Sequence, residues 1–309
     1  MINQKLFIIS LLLSGWNYAS SQQADSIVLY NAVLYYYSYG TGEPIVILSG
    51  GPGVASHQED DVAAELGKHY KAILFDQRGT GRSWTKPFDS STINLKQATD
   101  DLETLRTHLH IEKLNLYGHS WGSMLASAYI ARYPERVKLF ISNCGGEIDT
   151  SLTQTVNQNV NAKHPPCDSI KFQYWLDSSV IKKDPAKASY EVRRLRVSYS
   201  IYDTSKIDLI MKQVAHGDRN YTMSSLMWKS VGKELHFTSA LKAYLGKALI
   251  IFGWNDMISL TTVTQYMQAF PKAEVRGIFK SGHYPEIEQP EQFYAIINQF
   301  LEAQMRRVK

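Results

Sequence analysis

Three separated segments of this chain carry residue types that could make and use a nucleophile. Gly118-His119-Ser120-Trp121-Gly122 fits Gly-x-Ser-x-Gly, the nucleophile elbow. The match gains meaning from its flanks. The apolar run Leu114–Tyr117 precedes it and the small, apolar stretch Ser123-Met124-Leu125-Ala126-Ser127-Ala128 follows, so a strand-to-helix turn is predicted. A serine hydroxyl is a weak nucleophile and needs a base that a third group orients. Of nine histidines, His283 is the best placed, in Ser281-Gly282-His283-Tyr284-Pro285 between an apolar strand and the last helix. His119, inside the elbow, is expected to point away from the nucleophile. Asp256, just past Ile251-Phe252-Gly253, is the candidate orienting acid; alone it would read as an ordinary turn aspartate. Ser49-Gly50-Gly51-Pro52-Gly53 follows another apolar strand, and its glycines would let backbone N–H groups approach a reacting carbonyl oxygen. The oxyanion donors are assigned to the N–H groups of Gly51 and Trp121. A phosphate-binding loop is the competitor, but the Gly-Lys-Ser/Thr ending is missing. Asp76-Gln77-Arg78-Gly79-Thr80-Gly81-Arg82-Ser83 offers no nucleophile and base together; it reads as a structural turn braced by Arg78 or Arg82.

The elements that must position these residues are legible as short apolar runs. Ile45–Leu48, Lys71–Phe75, Leu114–Tyr117, Val137–Ile141, Ala248–Phe252 and Glu274–Phe279 have the form of strands inside a sheet. Ser26–Tyr30 and Ala32–Tyr37 precede them as a β-branched and aromatic pair. Ala98, Leu102, Leu105 and Leu109 recur at helical spacing, as do Phe293, Ile296, Ile297, Phe300 and Leu301 after Pro290. Strands alternating with amphipathic helices predict an α/β protein, with a mostly parallel sheet covered on both faces. The alternation stops at residues 147–240, which are helical in pattern and rich in aromatics. This stretch is read as a cap inserted between two core segments, 22–146 and 241–309. Its tyrosines and tryptophans are expected to form its own core.

Composition narrows the function. The 309 residues carry 33 basic and 29 acidic side chains, a net charge of +4 that is too small for a nucleic-acid or anionic-membrane partner. No apolar run reaches the roughly 18 residues of a membrane span. The first 21 residues read as a signal peptide: Lys5, the apolar Leu6–Leu13, then Ala19-Ser20-Ser21 before Gln22. That implies a secreted or periplasmic protein, and leaves Cys144 and Cys167 either disulfide-bonded or as two buried thiols.

The order Ser120, Asp256, His283 resembles that of the α/β-hydrolase superfamily. More narrowly, Gly50–Gly53, Asp76–Ser83 and Gly118–Ser123 are similar to the three core motifs of the proline iminopeptidase branch of serine aminopeptidases. The resemblance implies a Ser120–His283–Asp256 triad, an acyl-enzyme, no cofactor or metal, and a small peptide substrate with an N-terminal residue, often proline. A carboxylesterase or lactonase on small esters is the alternative, and a non-catalytic binding protein on the same fold is the alternative of another class. Two positions depart from the branch. Ser49 stands where it usually has His, and the Trp-x-x-Trp-Glu element whose glutamate helps hold the substrate's amine is absent. Glu147, Asp177, Glu191, Asp203 and Asp208 are acids of the cap, each expected on a solvated helix face.

Overall fold

The computed structural model describes residues 22–163 and 166–305; the expected signal peptide lies outside the described residues. The strands are β1 (Gln23–Val28), β2 (Ala32–Tyr39), β3 (Pro44–Leu48), β4 (Lys71–Phe75), β5 (Trp84–Thr85), β6 (Leu114–His119), β7 (Val137–Asn143), β8 (Lys247–Gly253) and β9 (Glu274–Ile278). They form one sheet in the order β1-β2-β4-β3-β6-β7-β8-β9, with the short β5 paired to β2. β2 runs antiparallel to its partners, and every pair from β4 to β9 is parallel.

Side-chain alternation divides the core into two layers. In β3, Val46 and Leu48 point to one face while Ile45 and Ile47 point to the other, and all four are fully buried. The first face is covered by α2 (Leu95–His108) and α3 (Trp121–Arg132), through Leu102, Leu105, Leu125 and Tyr129. The second is covered by α1 (Asp60–Leu66) and the last helix (Pro290–Met305), through Val62, Leu66, Phe293 and Ile297. A strand buried on both faces has no polar side to alternate with, which is why the sequence shows continuous apolar runs. Truncating Phe293 to alanine would cost about 3–5 kcal/mol.

Between β7 and β8 the chain leaves the sheet and builds the helical cap: α4 (Thr153–Ala162), α5 (Pro166–Leu176), α6 (Ser178–Lys183), α7 (Pro185–Ser200), α8 (Ile207–His216), α9 (Tyr221–Glu234) and α10 (Thr238–Leu241). Its polar helix starts are capped by aspartates and an asparagine: Asp177, Asp184 and Asn220 each accept from a backbone N–H in the first turn of the helix that follows. The expected aromatic core of the cap is not what forms. Tyr174, Tyr190, Tyr202, Tyr221 and Trp228 are all between 45% and 57% exposed. The buried contacts are aliphatic: Val197, Ile201, Ile210, Met211 and Val214 cluster within the cap, and Met223, Met227 and Val231 of α9 join the core. Tyrosine and tryptophan carry a polar edge and can stay partly in water, whereas the aliphatic side chains of α7 and α8 have no such edge and pack together.

The chain then returns through β8, α11 (Met257–Ala269), β9 and the short α12 (Pro285–Glu288) into α13, the last helix. Cys144 is a free, fully buried thiol, so the disulfide alternative does not hold.

Candidate active site

Because β3, β6, β8 and β9 are parallel, their C-terminal ends open on the same edge of the sheet. The loops that follow them carry Gly50-Gly51, Ser120, Asp256 and His283, the residues singled out in the sequence. Gly51, Ser120, Asp256 and His283 all line one cavity of about 640 Å³ beneath the cap. Trp121, the other expected oxyanion donor, opens α3, and a helix leaves the first N–H groups unpaired.

The elbow is sharp. Ser120 has φ 53° and ψ −113°, a left-handed backbone that a side chain rarely accepts. Its flanking glycines are required by space. A Cβ on Gly122 would lie 2.1 Å from the Leu48 carbonyl oxygen, and one on Gly118 would lie 2.4 Å from the Gly122 backbone. The turn is pinned by the Ser120 N–H donating to the Asn143 carbonyl at the end of β7, 2.9 Å. The glycine loop after β3 is braced from within: Ser49, at the position that departs from the resembled branch, donates to the Val54 carbonyl at 3.0 Å.

His283 and Asp256 are joined directly. The His283 Nδ1–H donates to Asp256 Oδ2 at 2.7 Å, both side chains being almost fully enclosed. Burial works against the charge of Asp256. The His283 imidazole and the Ile258 N–H outweigh it and hold the carboxyl below its ordinary value. The other oxygen, Oδ1, accepts from that N–H at 3.1 Å and so caps α11. One side chain thus both caps a helix and orients a histidine. Cys144 Sγ comes within 4.8 Å of Asp256 and His283 donor atoms, a grouping that could suggest a metal. Burial, with Asp256 and Glu286 nearby, holds this thiol well above its ordinary value, and Sγ donates to the Gly282 carbonyl. The other two donor atoms, His283 Nδ1 and Asp256 Oδ2, are engaged with each other.

Beneath Ser120, Asp256 and His283 lies a charged floor that sequence reasoning missed. His119 turns to Glu59, with Nδ1 3.0 Å from Oε1, and its Nε2 meets the carbonyl of His283 at 2.9 Å. A carboxylate and a carbonyl, both acceptors, favour a proton on each ring nitrogen, the imidazolium form. Burial opposes that charge, but Glu59, Glu286 and the His283 carbonyl outweigh it and raise the pKa to about 9. Glu286, fully enclosed beside Asn143, is pushed up to about 7 by burial and by Glu59, against the pull of His119. Glu288 ties the His283 loop to the cap. One oxygen accepts from the Gly282 N–H at 2.6 Å, and the other from the N–H groups of Tyr202 and Asp203. The His283 N–H donates to the Ser200 carbonyl at the end of α7, also 2.6 Å.

The Asp76–Ser83 turn is structural, as read. Arg78 grips Asp101 with two hydrogen bonds of 2.6 and 2.8 Å, and Arg82 lies over the Tyr35 ring. Asp76 accepts from Ser56, Tyr37 and the Arg82 N–H. Gln77, between them, accepts from the Trp121 indole at 2.8 Å and so bolts the turn to the elbow.

The cap acids stay out of the cavity. Asp177 and Asp203 cap helix starts, Asp208 pairs with Arg194 and Glu147 accepts from Thr153. Among the described residues that line it, Asp256 is the only carboxylate; the cap contributes Lys163, Arg193, Arg196 and Arg219 instead.

A strand-to-helix elbow, an acid and a base on successive strand ends, and an inserted cap define an α/β hydrolase. Residues 43–290 match the family model for the alpha/beta hydrolase fold, and the chain belongs to that family. It is 28% identical to a proline iminopeptidase of Heyndrickxia coagulans over 277 residues, 85% of this chain and 91% of that one. A solved proline iminopeptidase-related protein from Thermus thermophilus superposes with a TM-score of 0.72 at 19% identity, covering 92% of this chain and 98% of that one. Est816, described as an N-acyl homoserine lactone degrading enzyme, superposes with a TM-score of 0.64 at 18% identity, covering 89% of this chain and 100% of that one.

Proposed function

We propose that this chain is a serine hydrolase that works through an acyl-enzyme. The observation that carries the reading is the His283–Asp256 pair, 2.7 Å apart, facing the same cavity as a serine on a strained elbow. Ser120 attacks the acyl carbon. His283 takes its proton through Nε2 and returns one to the leaving group. Asp256 fixes the tautomer and stabilises the imidazolium. The N–H groups of Gly51 and Trp121 hold the oxyanion, and water then releases the acyl group. A fluorophosphonate probe should label the wild type and not Ser120→Ala. Labelling at another residue, or none, would overturn the assignment and favour a binding protein on this fold.

Between the substrate classes, the charge of the cavity favours esters. An aminopeptidase must neutralise a terminal ammonium, because an unpaired buried charge is costly. The one described carboxylate of the lining is committed to His283. Similarity along most of the chain to a proline iminopeptidase supports the aminopeptidase as the second reading. Proline p-nitroanilide and short p-nitrophenyl esters separate the two: anilide cleavage that needs Ser120 would restore the aminopeptidase. We also infer export through residues 1–21, which N-terminal sequencing of the protein recovered from its producing cell would test. A mature start at Gln22 is expected.

A further inference from the structure

We propose that the cavity under the cap selects substrates that carry a carboxylate, held by Arg219 together with Arg193 and Arg196. This rests on the serine-hydrolase reading and names its substrate class.

The three guanidiniums arrive from different places. Arg193 and Arg196 are three residues apart on α7 and so share a face of that helix. Arg219 comes from the loop between α8 and α9. All three line the cavity that holds Ser120. No ion pair to a carboxylate is found for any of them among the described residues, although paired cations are common elsewhere in the protein. Their neighbour Arg194, also on α7, is paired with Asp208 of α8.

Arg219 is the centre of the group. Its Nε is buried and has no hydrogen-bond partner among the described residues. Its other contacts are weak: Nη2 lies 3.4 Å from the Pro52 carbonyl, and the guanidinium sits 5.8 Å from the Tyr221 ring centre. Burial and the like charges of Arg193 and Arg196 pull its pKa down, against the phenols of Tyr221 and Tyr284. Arg193 touches neutral groups: its Nη1 lies 3.5 Å from the Val214 carbonyl, and it also faces the Tyr221 phenol. Holding the partly buried Arg219 beside two further cations without a counter-ion is costly in the empty protein, even though Arg196 reaches solvent, and an anion would relieve that cost. A planar guanidinium suits a carboxylate bidentately. Lys163 is a fourth cation of the lining but is engaged by the Asn255 carbonyl. A carboxylate at the arginines would leave the ester carbonyl of the same molecule free to reach Ser120, so the products are a diacid and an alcohol. The same three arginines also line a second cavity of about 410 Å³, which gives the acyl chain room for more than one length.

The test compares 4-nitrophenyl hydrogen adipate and suberate with their methyl-capped neutral counterparts. The expected result is a kcat/KM for the anionic ester about tenfold or more above that for its neutral counterpart. In Arg219→Gln that ratio should fall by about tenfold or more, and in Arg219→Lys it should fall less. Adipate itself should raise the melting temperature of the wild type and of Ser120→Ala, but not of Arg219→Gln. A ratio near or below one in the wild type, or one unchanged in the Arg193→Gln, Arg196→Gln and Arg219→Gln variants, would overturn the proposal. Failure of the hydrolase reading looks different: no Ser120-dependent turnover of any ester, with the adipate-dependent stabilisation still present.

Discussion

The two sides of the cavity around Ser120 treat charge in opposite ways. Below, in the α/β core, the ionisable groups are enclosed and mutually engaged: Asp256 with His283, His119 with Glu59, Glu288 with three backbone N–H groups. Above, in the cap, Arg193, Arg196 and Arg219 face the cavity with no carboxylate paired to them among the described residues. A floor whose charged groups are engaged with one another before substrate arrives, even with Glu59 Oε2 and Glu286 Oε1 left without a hydrogen bond among the described residues, can hold the reacting atoms in place. A roof whose charges are unsatisfied gains stability only when something arrives. The division separates reaction from selection, and each half can be perturbed while the other is watched.

The largest effect should come from Ser120→Ala, with kcat lower by about 10⁴-fold or more while adipate-dependent stabilisation persists. Loss of both would mean that floor and roof are not separable. Next, Asp256→Asn should lower kcat by about 10³–10⁴-fold, since the amide favours the wrong tautomer of His283. It also keeps the cap of α11, so the melting temperature should move little.

His119→Gln should cost on the order of 3 kcal/mol of stability below pH 6.5, the equivalent of a pKa raised from 6.5 to about 9. The sign is fixed by linkage. The folded protein holds this proton more tightly than the unfolded chain, so the contribution is complete below pH 6.5 and lost as pH rises through about 9. Glu286, held at about 7 against its ordinary 4.5, adds a loss of the same sign between those values. Denaturant melts at about pH 6 and about pH 9 should therefore differ more for the wild type than for His119→Gln. Equal slopes would mean that His119 is not the buried imidazolium described. The smallest effect belongs to Arg194 of α7. Arg194→Gln removes an exposed ion pair, and stability should change by about 0.5 kcal/mol or less with the ester preference intact.

How much of this could be read in the chain depends on how local the information is. The elbow, the glycine loop and the strand ends are each written in consecutive residues, because a turn or a buried strand constrains its own neighbours. Asp256 and His283 follow the same logic, being loop residues just past apolar runs. The floor is different. Glu59 and Glu286 look like ordinary helix-start acids, and only the β3-β6-β7 order brings them to His119 and Asn143. Nor does the sequence distinguish Arg193 and Arg196 from Arg194. Which of the three faces the cavity depends on how α7 packs on α8. The cap's aromatics misled for a related reason: hydrophobicity alone does not say whether a thin helical layer has depth enough to bury a large ring.

The hydrogen bonds between the base loop and the end of α7 bear on how the enzyme opens. Lifting α7 from its C-terminal end would break the Ser200–His283 and Glu288–Tyr202 bonds and carry the imidazole away from Asp256. That end is therefore a mooring of the His283 loop to the cap. The helix so moored, α7, is also the one that carries Arg193 and Arg196, two of the three arginines.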